Sequence, residues 1–297
     1  MIIQCTIFLI LLLSLCCVGM MVYKLTHQPK THITRLDYLK LSISGVLAFI
    51  SDTLGIGSFA VNIALAKLFN TFKDEELPAM NNGAQVIPGT LESLLFMQMI
   101  QVDWLTLVTL VSGTCIGGIL GGHIVSRLSK QAIQCAMIIC FSLMLGLLLC
   151  NQFNLIPVDG TLTALRDWKL VAGFFAMVIC GSLTSVGIGL FAMVQGVLFL
   201  MGVSPAVAFP IMTTAGAMQQ PLTTLVFLKE NKIPLKKTLI LSLSGCIGVV
   251  IATPIVSQLS ADWLHRLLIL IMLYNLITIG RAYVHTREHK RLRLQFM

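Results

Sequence analysis

Two long apolar stretches of this chain are interrupted by the same small motif, and that interruption constrains the fold more than any other feature. The first reads Asp52-Thr53-Leu54-Gly55-Ile56-Gly57-Ser58-Phe59 and the second Thr184-Ser185-Val186-Gly187-Ile188-Gly189-Leu190-Phe191. A Gly-x-Gly among small polar residues gives up side-chain packing and frees the backbone, so a helix is predicted to break at each. At membrane depth a broken backbone is tolerated only where it is buried in protein or lines a wet cavity, and transporters place substrates at such breaks. A single Gly-x-Gly reads more simply as a close helix contact. Two copies in one register point to a site.

Gly55 to Gly187, Gly57 to Gly189 and Pro78 to Pro210 are each 132 residues apart. Further along, Ile124-Val-Ser-Arg-Leu-Ser129 is matched by Ile255-Val-Ser-Gln-Leu-Ser260, and Cys115-Ile-Gly by Cys246-Ile-Gly, both at 131. This reads as an internal duplication of about 105 to 110 residues, a construction common among secondary transporters.

Apolar residues make up 57% of the 297 and charged residues 11%, which leaves too little polar surface for a soluble protein. The net charge of +8 would suit nucleic acid, but the basic residues gather in short loops and the C-terminal tail, as the positive-inside bias of membrane proteins has it. Nine cysteines lie almost wholly in apolar segments, without CxxC or Cys/His metal spacing, and read as small core or lipid-facing side chains. No Ser/His/Asp set, phosphate-binding loop or metal cluster is legible, so no catalytic residue, metal or cofactor is predicted.

Residues 1–23 are apolar and long enough to cross a bilayer, and they lack the basic start and small-residue cleavage site of a signal peptide. They are predicted as an extra N-terminal transmembrane helix. Residues 24–40 carry Lys24, Lys30, Arg35 and Lys40 against Asp37 and are predicted as a cytoplasmic loop. The first repeat, 41–150, supplies Leu41–Ala66 with its break, Pro78–Ile100, Trp104–Val125 and Gln131–Cys150. A polar connector, 151–168, leads to the second repeat, 169–283, with Leu170–Met201 and its break, Pro205–Leu228, Pro234–Val256 and Trp263–Tyr283. Residues 284–297 are predicted as a basic cytoplasmic tail. The expected fold is therefore an all-α polytopic membrane protein of two four-helix repeats plus one extra helix, about nine spans. Counted as full spans the repeats are parallel, which leaves Arg127 and Lys130 outside, against the charge rule; a re-entrant half-helix would make the repeat inverted.

Early in the helix after each break stands a polar pair, Asn81-Asn82 and Thr213-Thr214, and Val102-Asp103-Trp104 makes a tight turn before a helix carrying Gly113, Gly117, Gly118, Gly121 and Gly122. In these features residues 41–283 resemble the sulfite exporter TauE/SafE family of membrane permeases. The resemblance implies an eight-span duplicated fold and anionic sulfur compounds as substrates. The chain departs from the family's pattern in Ser58-Phe59 and Leu190-Phe191 after the breaks, in Asn-Asn for the usual Thr-Ser, and in the added N-terminal helix.

An anion in a bilayer needs positive partners, yet no Lys or Arg lies in the middle of a predicted span. Helix N-termini freed at a break offer unpaired N–H groups and roughly half a unit of positive charge. The candidate substrate-binding residues are thus Gly55, Gly57, Gly187 and Gly189 at the breaks, with Asn81, Asn82, Thr213 and Thr214 to read the anion; Pro78 and Pro210 suit the opening turns beneath those pairs. The same amides and hydroxyls would otherwise hydrogen-bond between helices. Asp52 and Glu92 sit where charge is expensive and are the candidate proton-coupling residues. Their simpler roles are a cap for the half-helix by Asp52 and a neutral interhelical hydrogen bond by Glu92. Gln195, Gln219 and Gln220 would line a path or, with Gln85, knit helices together.

The predicted function is secondary transport of a small anion, whether sulfite, an organosulfonate or a related carboxylate, held between the two breaks in a cell membrane, the inner one if the cell is Gram-negative. A membrane scaffold or assembly factor that keeps the fold without transport is the alternative. The predicted partners are the small anionic substrate and the lipid bilayer, not nucleic acid, with a homo-oligomer left open.

Overall fold

Without water, a backbone must satisfy its own hydrogen bonds, and helices do so within one segment. A computed structural model describes residues 2–27, 33–54, 57–96, 102–153, 160–254 and 261–295. Among them the expected all-α character holds. The helices are α1 (Ile2–His27), α2 (Arg35–Thr53), α3 (Ser58–Phe69), α4 (Leu77–Phe96), α5 (Trp104–Val125), α6 (Lys130–Gln152), α7 (Asp167–Thr184), α8 (Leu190–Leu200), α9 (Pro205–Lys229), α10 (Leu235–Ala252) and α11 (Ala261–Gln295). Six of them, α1, α5, α6, α7, α10 and α11, are long and apolar enough to cross a membrane.

Several boundaries differ from expectation. The basic loop expected at 24–40 is helical at both ends, because α1 runs on to His27 and α2 starts at Arg35, where Thr34 accepts the Asp37 N–H at 3.1 Å as an N-cap. Lys24 is drawn into the fold, donating to the Leu228 carbonyl and to Asn231 Oδ1 at 2.8 Å. The tail expected at 284–297 continues α11 as helix to Gln295. Pro78 does lie in the first turn of α4, but Pro210 lies inside α9, which opens at Pro205. The repeated segment 255–260 lies outside the described residues.

Helix direction departs from the parallel expectation. Helices α2 and α10 run parallel, with Gly45 against Leu241 and Ser244, Phe49 against Gly245, and Val46 and Ile50 against Gly248. At the start of α10, Lys237 Nζ donates to the Thr71 carbonyl at 2.6 Å and sits 5.3 Å from the centre of the Phe72 ring. Thr71 follows α3, so α3 ends on the face from which α2 departs. The second half repeats this on the opposite face. Helix α7 runs parallel to α5, with Gly113 against Phe174 and Gly121 against Ser185. Helix α8 then returns beside the start of α7, where Lys169 Nζ donates to the Met201 carbonyl at 3.4 Å. Each break is thus a reversal and not a kink in a through-going helix. With 12 and 11 residues, α3 and α8 extend only about 16 to 18 Å, roughly half of a bilayer's apolar core.

A reversing segment adds no net crossing, so the helices after it run the other way. Phe96 near the end of α4 meets Phe209 near the start of α9 edge-on at 5.1 Å, and α4 and α9, which correspond at the 132-residue offset, are antiparallel. The parallel-repeat expectation fails on this geometry. Packing is reciprocal between the halves: α2 with α10 and α5 with α7, α4 with α10 and α5 with α9, then α4 with α9 and α6 with α11. Glycine allows the closest of these contacts. A Cβ on Gly113 would stand 2.7 Å from the Phe174 carbonyl oxygen, closer than real Cβ atoms approach.

The two faces carry different charge. A polar cavity of about 280 Å³, bounded by Lys73, Glu75, Ser126, Asn231 and Lys232, places the α5–α6 turn on the face of Lys24 and Lys237. Arg127 and Lys130 therefore join the basic face. On the other face Arg166 pairs with Asp103 at 2.7 Å and holds that carboxyl down to about 2. A depressed carboxyl contributes fully above its ordinary range, so this link is lost only as pH falls through about 2. Single cysteines replacing Lys24, Arg127 or Lys130 in a cysteine-depleted background should all react with an impermeant maleimide from one side of sealed vesicles. A through-going first helix would put Arg127 and Lys130 on the side opposite Lys24.

Candidate site at the helix reversals

The first reversal is held by side chains on both sides of it. Gly57 takes φ +92°, a conformation L side chains rarely adopt, as the N-cap residue of α3. Across the turn, Asp52 Oδ1 accepts the Ser58 N–H at 2.7 Å, so the last turn of α2 caps the first of α3. Helix α4 passes alongside with Asn81, Gln85 and Glu92 at i, i+4 and i+11, within about 40° of one line along the helix. Gln85 Nε2 donates to Asp52 Oδ2, and Gln85 Oε1 accepts from Ser58 Oγ at 2.5 Å. One turn on, a Cβ at Gly89 would lie 3.2 Å from Gln85 Cγ, so glycine leaves that amide its room.

Glu92 is buried beside the same turn, close enough to Asp52 for their charges to interact. The Thr53 hydroxyl is 2.6 Å from Glu92 Oε1 and 2.9 Å from the Phe49 carbonyl. One hydroxyl carries one proton. If Thr53 donates to Phe49, the shorter contact requires the proton to come from Glu92.

The second reversal reaches the same place from the opposite face. Gly187 turns the chain at φ +105°, and α8 opens after Gly189. Asn81 Nδ2 lies 3.2 Å from the Phe59 carbonyl of α3 and 3.5 Å from that of Gly187, while Asn82 Nδ2 bonds the carbonyls of Pro78 at 2.9 Å and Thr184 at 3.3 Å. The start of α4 thereby stitches the two reversals together. Ser185 Oγ donates to the Gly118 carbonyl at 3.0 Å, anchoring the turn on the glycine ridge of α5. From α11, Asn275 Nδ2 donates to the Ala60 carbonyl at 2.9 Å. A Cβ on Gly189 would meet Phe59 at 3.9 Å, so the two half-helix starts face each other.

Of the expected site residues, Asp52, Gly57, Asn81, Asn82, Glu92, Gly187 and Gly189 are brought together. Gly55 lies outside the described residues. Thr213 and Thr214 do not join them: Thr213 Oγ1 bonds the Phe209 and Pro210 carbonyls of its own helix at 3.2 Å, and Thr214 lines an apolar cavity against α1 and α5. Nor is the first half-helix N-terminus open to an anion, since Asp52 already occupies it. Helix α8 has no such side-chain cap among the described residues. Gln219 donates to Thr223 at 2.6 Å within α9 and serves packing. Sequence alone assigns no role to Ser58, Thr53 and Asn275 and only helix knitting to Gln85. The i, i+4, i+11 spacing of Asn81, Gln85 and Glu92 was the available signal.

Among the described residues no basic side chain pairs with Asp52 or Glu92, and the ion pairs Lys67–Asp74 and Arg166–Asp103 lie elsewhere. Asn81 Oδ1, Asn82 Oδ1, Glu92 Oε2 and Ser93 Oγ are buried without a hydrogen-bond partner. The same holds for atoms of Asn62, Gln134, Thr224 and Ser242, so it does not by itself mark an occupant. The chain matches no protein-family model, no curated protein and no solved structure.

Replacing Gln85 by Ala leaves Asp52 and Ser58 short of a partner, and thermal unfolding in detergent should show a loss of roughly 1 to 3 kcal/mol. Gly187→Ala forces a side chain into strained backbone and should cost about 1 to 3 kcal/mol. Gly189→Ala, at φ −57° with no close neighbour, should unfold like the parent; equal losses at the two glycines would contradict the reversal geometry.

Proposed function

We propose that this chain is a secondary transporter of a small anion, built as two inverted repeats around the paired helix reversals, with α1 added. The observation that carries the reading is the meeting of two half-helix starts and one polar row of α4 at a buried centre. Re-entrant half-helices from opposite faces, with a site where they meet, are a recurrent transporter design. The basic face of Lys24, Arg127, Lys130 and Lys237 is then cytoplasmic. The resemblance to the sulfite exporter family supports sulfite, an organosulfonate or a related carboxylate as substrate.

In this reading the uncapped N-terminus of α8 takes the anion, with the Asn81 and Asn82 side chains beside it. Asp52 and Glu92 carry the coupling proton: two neighbouring carboxyls without a basic partner cannot both hold charge at low dielectric. Protonating Asp52 weakens its hold on the Ser58 N–H, which links proton uptake to the set of the half-helix. The internal cap on α3 favours the scaffold alternative to the extent that the first reversal is self-satisfied. Burial of Asp52 inside the protein and not toward lipid favours transport.

Purified protein in liposomes should accumulate one of these anions under an imposed pH gradient. Asp52→Asn paired with Glu92→Gln should retain anion exchange and lose pH-driven accumulation. Full accumulation by the double variant removes proton coupling through this pair, and failure of the parent to move or be stabilised by any small anion favours the scaffold.

A further inference from the structure

The groove that received Thr214 has its own chemistry. Helix α1 packs on α9 and α4 but stands off α5, and the gap is a cavity of about 590 Å³. Its walls are Leu9 and Leu13 of α1, Val111 and Cys115 of α5, and Met218 and Leu222 of α9. The volume is in the range of small-molecule sites. Polar atoms contribute almost nothing to its surface. The Ser112 hydroxyl at its edge donates to the Thr109 carbonyl at 2.8 Å and is turned to its own backbone. Thr6 and Thr214 add the other hydroxyls of the lining, and no charged side chain belongs to it.

The rim shows how it is reached. Leu9, Val108 and Ile116 are 42%, 51% and 44% exposed, so the cavity opens sideways and not toward either end of the bundle. Its α5 wall begins only three residues beyond Trp104, on the Asp103–Arg166 face, and its α9 wall lies well inside α9, so it spans the half of the bundle next to that face. In a bilayer this flank is bathed in hydrocarbon, and an apolar void open to hydrocarbon fills with it, since an empty one forfeits dispersion contacts on every wall.

We infer that this cavity is a phospholipid site, holding one acyl chain of a lipid from the leaflet on the Asp103–Arg166 face as a wedge between α1 and α5. The inference needs only the membrane placement of the helices and is independent of transport. Its occupant is a phospholipid chain because the lining offers no charged group to hold a carboxylate head, and the neighbouring ion pair leaves the headgroup at the polar face.

The test compares the parent with Val111→Trp and Leu9→Trp, each filling the cavity from a different wall. After delipidating washes, native mass spectrometry should find a phospholipid retained by the parent and lost from both variants, and adding back phospholipid should raise the melting temperature of the parent alone. Leu9 is on the exposed flank of α1, so that variant keeps the core intact should Val111→Trp misfold. Equal phospholipid retention by a folded Leu9→Trp variant, no retained lipid in the parent, or a retained free fatty acid in its place would each overturn the proposal.

Discussion

Backbone groups that leave a helix in a water-poor interior must find partners, and the arrangement of this molecule follows from how two such breaks are satisfied. Asp52 takes the first N–H of α3, and the amides of Asn81 and Asn82 take carbonyls from α3, α4 and the second turn. Each of these side chains serves the backbone of another segment. Gln85 orients the carboxylate that does the capping and is fixed in turn by Ser58. The polar row of α4 is at once the structural bond between the halves and the chemistry available at their meeting point.

Close approach is the second condition. Between lipid-like surfaces hydrophobic burial discriminates little, and helices associate where small residues let them pack tightly. The glycines of α5 admit the backbone of α7, and Gly45, Gly245 and Gly248 do the same for α2 and α10. Because each half lends its glycine helix to the other's reversing segment, neither half encloses its own break. A pair of reversals meeting at the centre is the outcome of that exchange.

Charge sorts with depth. The described ion pairs and most lysines sit at the two ends, while Asp52 and Glu92 lie inside without a basic partner among the described residues. Among the described residues that interior holds two carboxyls and no cation, and hydrogen bonds with Ser58, Gln85 and Thr53 serve them. This separates the pair from Asp103, whose guanidinium partner keeps it ionised.

Much of this was legible in one dimension. Apolar runs long enough to cross a bilayer, glycine pairs that cannot continue a helix and a 132-residue echo determined the all-helical character, the places where the chain breaks and the buried acids worth attention. Trp104–Val125 was placed to the residue, because Asp103 is a strong cap and the turn after Val125 is short. What a broken helix does next was not legible: a Gly-x-Gly permits continuation, kinking or reversal, and only the packing of α10 beside α2 and of α5 beside α7 selects reversal. The same packing sent Thr214 to an apolar cavity between α1 and α5 while its counterpart Asn82 stayed at the centre. Sequence specifies local conformational freedom and residue chemistry, whereas the direction of a segment and the company of a side chain are set by contacts between residues far apart in the chain.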